Sequence, residues 1–357
     1  MASKTRQITV GGVRIGGGAP VSVQSMTNTR TEDVKTTCAQ INRMIDAGCQ
    51  IVRIAVPTDK AASAFAEIRK AVSIPLVADI HFRHDLALAA IDAGADKIRI
   101  NPGNIGGREQ VSAIVKRAVA AKIPIRVGVN SGSIEKDILK QEGGPTVQAL
   151  VASALRNIEL CRELGAVDLV LSLKSSDVLK TVFAYRAASQ QTDVPLHIGV
   201  TEAGTVRSGT IKSSVGLGIL LAEGIGDTLR VSLTGDPVEE VYVGFQILRA
   251  LNLSRRGINF ISCPTCSRTL VDLIAVAEQI ERRLADVETP LTVAVMGCAV
   301  NGPGEAREAD IGIACGKGSA VLFKKGEIIC RIAENNLVEE LEKQVRALAE
   351  QMNKKNL

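Results

Sequence analysis

Eight short runs of aliphatic and β-branched residues recur up to residue 234, and Ala-rich stretches with helical periodicity separate them. The runs are VSVQSM (21–26), IVRIAV (51–56), PLVADI (75–80), KIRINP (97–102), IRVGVN (125–130), DLVLSLK (168–174), LHIGVT (196–201) and LRVSLT (229–234). Glycine follows several helical stretches directly before the next run, as at Gly48 and Gly94, which is a signal for a helix C-terminus. Eight strands alternating with eight helices predict an α/β fold, a (β/α)8 barrel of the TIM type; an open doubly wound sheet is the alternative.

The pattern changes after Leu253, where Ser-Arg-Arg-Gly (254–257) forms a short polar junction. Beyond it we predict a strand leading into Cys-Pro-Thr-Cys, a helix at 269–285, strands at 292–297, 310–315 and 319–332, the last with a Lys-Gly turn, and a closing helix at 337–352. A hairpin is expected before the barrel, in QITVGGVRIGGG. The predicted domains are therefore a substrate-binding barrel, 1–253, and a smaller α+β domain, 258–357.

Composition narrows the functional class. The net charge of +5 is too small to indicate a nucleic-acid partner, and with no Trp and only two Tyr the chain offers few rings for base stacking. No apolar run approaches the roughly 18 residues that a membrane span needs. The polar opening MASKTRQITV does not read as a signal peptide, and the eight cysteines do not form a small secreted framework. We therefore expect a cytoplasmic protein with reduced thiols and no membrane partner.

Polar side chains cluster near the C-terminal ends of the predicted strands, where barrel enzymes carry their active sites. Five of them are cations on five different strands: Arg53, Arg99, Arg126, Lys174 and Arg230. Any one could be a solvated strand end or part of a local ion pair, but five converging on one mouth favour a multiply charged anion such as phosphate or diphosphate.

Other polar residues share these strand ends. Because side chains alternate along a strand, Asp79 and His81 share one face of their strand, and Arg99 and Asn101 share one face of theirs. Further candidates at the mouth are Asn130, His197, Glu202 and Ser232. For the two histidines, a direct substrate contact and a purely structural role remain equal alternatives.

The second predicted domain carries Cys263 and Cys266 in a C-x-x-C motif, then Cys298, and then Glu305 after a Gly-Pro-Gly turn. Three thiolates and one carboxylate differ from the four Cys or His ligands of structural zinc and from the four Cys ligands of most iron–sulfur clusters. A weaker fourth ligand suits a cluster that must open one iron to a substrate. Structural zinc, or cysteines that never meet, remain open at this point. Cys315 and Cys330 are alternative candidate ligands, but we interpret them as structural.

Taken together, the motifs resemble the 4-hydroxy-3-methylbut-2-enyl diphosphate synthase family of the non-mevalonate isoprenoid pathway, in its shorter two-domain bacterial form. The resemblance covers essentially the whole chain. It rests on VQSMTNT (23–29), ADIHF (78–82), RINPGN (99–104), VGVNSGS (127–133), SLKSS (172–176), GVTEAG (199–204), SCPTCSR (262–268) and MGCAVNGPGE (296–305).

The resemblance implies one [4Fe–4S] cluster per subunit, held by Cys263, Cys266, Cys298 and Glu305. It implies reductive opening and dehydration of 2-C-methyl-D-erythritol 2,4-cyclodiphosphate with two electrons, which reduced flavodoxin or ferredoxin would supply. The substrate contacts would be Arg53, Arg99, Asn101, Arg126, Asn130, Lys174, His197, Arg230 and Ser232. Glu202, Asp79 and His81 would join Glu305 as catalytic residues. A zinc-stabilised barrel lyase for a sugar phosphate and an RNA-binding barrel are the alternatives from other classes.

A head-to-tail homodimer is also expected. The last barrel helix delivers the chain to the bottom of the barrel, and about four linker residues reach at most about 14 Å. A helix of about 15 residues spans roughly 22 Å. A cluster domain tethered at the bottom is thus better placed to serve the barrel of a second chain.

Overall fold

The computed structural model describes residues 5–298 and 308–355. The chain divides into two compact units, Met1–Ser254 and Arg255–Leu357. The division falls inside the polar junction at 254–257.

The first unit begins with an antiparallel hairpin, β1 (Ile8–Val10) and β2 (Val13–Ile15), as the sequence predicts. Eight parallel strands follow: β3 (Ser22–Met26), β4 (Ile51–Ala55), β5 (Leu76–Asp79), β6 (Lys97–Ile100), β7 (Ile125–Asn130), β8 (Leu169–Lys174), β9 (His197–Ile198) and β10 (Thr228–Leu229). Their order in the sheet is β8-β7-β6-β5-β4-β3-β10-β9. A parallel bridge from Leu171 to Leu196 joins the two ends, so the sheet closes into the predicted barrel.

Helices lie between these strands in the expected alternation. They are α1 (Val34–Asp46), α2 (Asp59–Ala71), α3 (His84–Asp92), α4 (Pro102–Ile105), α5 (Arg108–Ala121), α6 (Lys136–Gln141), α7 (Val147–Glu163), α8 (Val178–Ser189), α9 (Val206–Ala222) and α10 (Pro237–Ala250). The short α4 and α6 are additions to the eight predicted helices. Side-chain caps start several of them; for example, Asp33 accepts from the Thr36 N–H at 3.0 Å.

Two apolar layers hold the barrel together. The larger lies between strands and helices and includes Val52, Ile54 and Phe65. The smaller closes the bottom of the barrel, where Ile8, Val10 and Ile15 of the hairpin pack with strand residues Ile51, Val77 and Val170. Because side chains alternate along a strand, residues two positions beyond this floor also face the interior. The hairpin thus leaves the opposite, C-terminal end as the open mouth.

The second unit contains β11 (Ile258–Ser262), α11 (Leu273–Arg283), β12 (Leu291–Met296), β13 (Ile311–Gly316), β14 (Ser319–Lys324), β15 (Glu327–Ala333) and α12 (Leu337–Lys355). The strands lie in chain order, with β11, β12 and β13 parallel and the last two pairings antiparallel. The predicted strand 319–332 is a hairpin that turns at Lys325 and Gly326, both with positive φ. No helix in the part of the chain that the structure describes is long and apolar enough to cross a membrane.

Candidate active site

Ionisable side chains form an interior layer at the C-terminal ends of the barrel strands. Arg53 alternates with Val52 and Ile54, which pack toward the helices, so its guanidinium faces inward. The strand register then sets its neighbours. Ala55 lies beside Asp79, Asp79 beside Arg99, Arg99 beside Arg126, and Asn130 beside Lys174. The structure thus brings together the predicted cations of β4, β6, β7 and β8, with Asp79 on β5 among them.

Asp79 is the negative centre of this layer. Its carboxylate lies 3.5 Å from Arg53 Nε, 3.1 Å from Arg99 Nη1 and 3.8 Å from His81 Nε2. Burial alone would raise the pKa of Asp79, but Arg53 and Arg99 outweigh it and hold the pKa below its usual range. Asp79 is therefore ionised at neutral pH, and it orients two of the cations rather than accepting a proton.

Arg230 differs from the other cations because it has a carboxylate of its own. Glu240, on the first turn of α10, accepts from Arg230 Nε at 3.0 Å and from Nη2 at 2.8 Å. It also accepts from the Ser25 hydroxyl at 2.8 Å. This bidentate pair neutralises the charge of Arg230 locally. Arg230 therefore attracts a bound anion less strongly than the neighbouring cations do.

Arg126 and Lys174 are the least compensated cations of the mouth. Arg126 is 1% exposed, and its Nε and Nη1 have no hydrogen-bond partner among the described residues. Burial, then the neighbouring arginines, lowers the pKa of Arg126; burial, then Arg126, lowers that of Lys174. Burying like charges together without acceptors is costly, so the arrangement favours an anionic ligand that supplies them.

Two glycines make room for these cations. A Cβ at Gly128 would lie 2.8 Å from Arg99 Nε and 3.0 Å from Nη2. A Cβ at Gly199 would lie 2.7 Å from Lys174 Nζ and 2.7 Å from the Arg230 carbonyl oxygen. The shortest distance at each glycine is below 3.0 Å, which a real Cβ atom essentially never shows, so each cation lies directly against a glycine on the neighbouring segment. Glycine keeps the guanidinium and the ammonium against the barrel wall.

We expect Gly128→Ala and Gly199→Ala to displace Arg99 and Lys174 and to raise the dissociation constant of the anionic ligand about tenfold, as for one weakened charge-assisted hydrogen bond. Gly218→Ala on α9 is the matched control, because a Cβ there meets nothing within 4 Å. Thermal unfolding checks that each variant folds. Unchanged binding by both alanine variants would show that the cations do not need these positions.

The remaining predicted residues are spread over the mouth. Asn101 is buried and accepts from the Gly103 N–H at 3.2 Å, capping α4. His197 is fully buried, and neither ring nitrogen has a partner among the described residues; burial, then Arg126, lowers its pKa. Glu202 is exposed and has a φ of 52°, so it lies in a loop with a constrained backbone, outside the buried layer. Asn130 and Ser232 are partly buried, and the side chain of His81 is 45% exposed.

Sequence reasoning missed Lys97 and Glu240. Lys97 is completely buried on β6, two residues before Arg99, and its parity with Arg99 was a usable signal. Glu240 lies on helix α10, and alternation along strands cannot predict that a helix residue contacts Arg230.

In the second unit, Cys263 and Cys298 follow the C-terminal ends of the adjacent parallel strands β11 and β12. The Gly297 N–H donates to Cys263 Sγ at 3.2 Å. Cys266 is exposed. Several hydrogen-bond donors lower the pKa of its thiol, and the backbone N–H of Arg268 contributes most. Cys315, on β13, is buried, and burial raises its pKa to about 11. Hydrogen-bond donors therefore favour the thiolate at Cys266, whereas burial keeps Cys315 protonated.

Glu305 lies outside the described residues, so the predicted fourth ligand has no structural description here. Among residues 5–298 and 308–355, no group of three His, Cys, Asp or Glu side chains is arranged to hold a metal ion. The soft thiolates and their backbone donors nevertheless fit an iron–sulfur cluster in chemical type.

Two family models cover nearly the whole chain. The GcpE TIM-barrel domain matches residues 5–245, and the GcpE protein C-terminal domain matches residues 259–347. The chain belongs to the GcpE family. The family resemblance drawn from the motifs is thereby confirmed, and so is the predicted fold class of a barrel followed by a smaller domain.

Curated relatives of this GcpE chain share one name, 4-hydroxy-3-methylbut-2-en-1-yl diphosphate synthase (flavodoxin). The protein from Geobacter sulfurreducens is 58% identical over 96% of this chain and 97% of its own length. The protein from Caldanaerobacter subterraneus is 56% identical, with 98% and 99% covered. Among solved structures, a dihydropteroate synthase from Stenotrophomonas maltophilia matches 70% of this chain and 98% of its own, with a TM-score of 0.52 and 14% identity. That likeness concerns the barrel fold alone.

Proposed function

We propose that the chain is a flavodoxin-type 4-hydroxy-3-methylbut-2-enyl diphosphate synthase. It opens 2-C-methyl-D-erythritol 2,4-cyclodiphosphate and reductively dehydrates it to 4-hydroxy-3-methylbut-2-enyl diphosphate, an isoprenoid precursor. Family membership and near full-length identity to synthases of this name support the activity. The observation that carries the site is the inward-facing group of buried cations at the barrel mouth.

The diphosphate binds at that mouth. Within the part of the chain that the structure describes, no carboxylate forms an ion pair with Arg126 or Lys174, whereas Arg53 and Arg99 share Asp79. Asn101, Asn130, His197, Ser232 and Arg230 complete the substrate contacts. Glu202 handles substrate hydroxyls or protons, with His81 and Asp79 as supporting residues. Since the pKa of Asp79 is depressed, its part is to orient Arg53 and Arg99.

Replacing Arg126 tests this site. Arg126→Met should raise the dissociation constant of the cyclic diphosphate by roughly tenfold to a hundredfold, because a charge-assisted bond of about 1.5–3 kcal/mol is lost. The chain should fold, since the variant also removes an uncompensated buried charge. Arg117→Met is the matched control, because Arg117 is an exposed helix residue paired with Asp92. Binding to the oxidised enzyme without reductant is the measurement, and wild-type affinity in Arg126→Met would place the diphosphate elsewhere.

The cofactor of the proposal is one [4Fe–4S] cluster per subunit. Cys263, Cys266, Cys298 and Glu305 would hold it, and backbone N–H groups such as that of Gly297 would stabilise the thiolates. When bound, the cluster supplies electron transfer and a Lewis-acidic iron. The donor is reduced flavodoxin, in line with the name that the relatives share.

The active enzyme is proposed to be a head-to-tail homodimer. Helix α10, with 14 residues, is about 21 Å long and returns the chain from the mouth to the bottom of the barrel. The second unit begins at Arg255, five residues after α10 ends at Ala250. A partner chain related by a two-fold axis can place its cluster at this barrel mouth. By the same symmetry, the cluster of this chain lies at the barrel mouth of the partner.

A further inference from the structure

A buried lysine lies beneath the proposed diphosphate site. Lys97 pairs in register with Val77, which belongs to the apolar floor of the barrel. Arg99, two residues later on the same face, belongs to the mouth. Lys97 is 0% exposed, and its Nζ has no hydrogen-bond partner among the described residues. The side chain thus stands between floor and mouth without an acceptor.

The carboxylates of the interior are already engaged. Asp79 contacts Arg53, Arg99 and His81, and Glu240 binds Arg230 and Ser25. The groups that interact electrostatically with Lys97 are Arg126 on β7, Arg53 on β4 and His197 on β9. The other charged and titratable groups of the interior are Asp79, Arg99, Lys174, Tyr185, and Arg230 with Glu240. Most are cationic, so an ammonium at Lys97 is disfavoured while the mouth is empty.

The reaction changes the charge at this place. Ring opening breaks the carbon–oxygen bond of one phosphate, which keeps the oxygen. The substrate dianion takes up two electrons from the reduced donor and one proton, and it yields the open-chain trianion and one water. The additional charge arises because a diester has one ionisable oxygen, whereas a terminal phosphate has a second one with a pKa of about 6.

We propose that Lys97 is a positioning residue that acts through Arg126, neutral in the empty barrel and positively charged when the open-chain diphosphate occupies the mouth. It holds the product-like charge and the arginine layer in place from below. Burial, followed by Arg126 and Arg53, lowers the pKa of Lys97, and a trianion above it opposes that shift. This inference rests on the proposed placement of the diphosphate and deepens it.

Calorimetry on the oxidised holoenzyme, without reductant, tests the proposal. The cyclic substrate and the open-chain product are each titrated at pH 8, in two buffers of different ionisation enthalpy, so that proton uptake is measured. The wild type should take up more protons with the product than with the substrate, by a sizeable fraction of one. Product affinity should fall as the pH rises, since binding raises the pKa of the lysine. If the wild-type enzyme takes up equal numbers of protons with the two ligands, the proposal is overturned, and no variant is needed for that conclusion.

The variant Lys97→Met, close in volume, sharpens the test. It should abolish the difference in proton uptake and weaken product binding about tenfold, while the affinity for the cyclic substrate changes much less. Lys116→Met on the exposed face of α5 is the matched control. Equal weakening of both ligands, or an undiminished uptake difference, would overturn the role of Lys97. If the proposed diphosphate site is itself wrong, a different result shows it: Arg126→Met will bind the cyclic substrate with wild-type affinity.

Discussion

An enzyme with Cys263 replaced by Ala will lose iron–sulfur absorption at about 400 nm and turnover together, with activity falling by more than about a hundredfold. Cys263 is partly buried against the two apolar clusters of its unit and accepts from the Gly297 N–H, so we expect its sulfur to be a fixed ligand of the proposed cluster rather than an exchangeable one. Glu305→Ala should behave differently. A carboxylate is a harder and more exchangeable ligand for iron than a thiolate, so part of the cluster should remain while turnover collapses.

The matched control for this pair is Cys330→Ala. Cys330 is an exposed cysteine on β15, and it should keep both absorption and activity. Iron content, the visible spectrum and anaerobic turnover are measured on the same samples. Wild-type cluster content in Cys263→Ala, or wild-type turnover in Glu305→Ala, would contradict the ligand set.

Mixing two inactive chains should restore activity if the active site is shared between subunits. A Glu305→Ala chain keeps the barrel cations, and an Arg126→Ala chain keeps all four cluster ligands. In a head-to-tail heterodimer one of the two composite sites contains no substitution. Equal mixing with free exchange should therefore give about a quarter of wild-type activity, because half of the dimers are heterodimers and half of their sites are intact.

Subunit exchange is followed separately, with differently tagged chains that are purified in sequence on both tags. The matched control mixes Arg126→Ala with Lys174→Ala, two barrel variants that cannot complement in a head-to-tail arrangement. Proven exchange without recovered activity would mean that each chain builds its site by itself.

The barrel could be predicted because its signal is local and repeated. Each strand is a short β-branched run, and each helix ends before a glycine, so eight copies of one unit identify the fold. Alternation also gave the inward direction of Arg53, Arg99 and Arg126, since the residues directly before and after each of them are apolar. The two-residue lengths of β9 and β10 were not predictable, because pairing there depends on barrel closure rather than on the runs themselves.

The electrostatics of the mouth were less accessible to sequence reasoning. The predicted five free cations include Arg230, which Glu240 pairs from a helix turn ten residues away. This ion pair depends on how α10 packs on the strands. The two-residue alternation along a strand carries no information about that packing. Lys97 was overlooked because a lysine at the start of a strand is ordinarily solvated, whereas the hairpin below it closes this barrel to water.

That hairpin also has a consequence for how the chain folds during synthesis. Ile8, Val10 and Ile15 are made well before one of their packing partners, Val170, which follows Ile15 by 155 residues. At about 5–20 residues per second the hairpin waits roughly 8–30 s for that partner. Over this interval its apolar face has no complete binding site, and the contacts it finally makes are among the most distant in sequence. The hairpin, although made before all eight barrel strands, can therefore complete its packing only once β8 has been made.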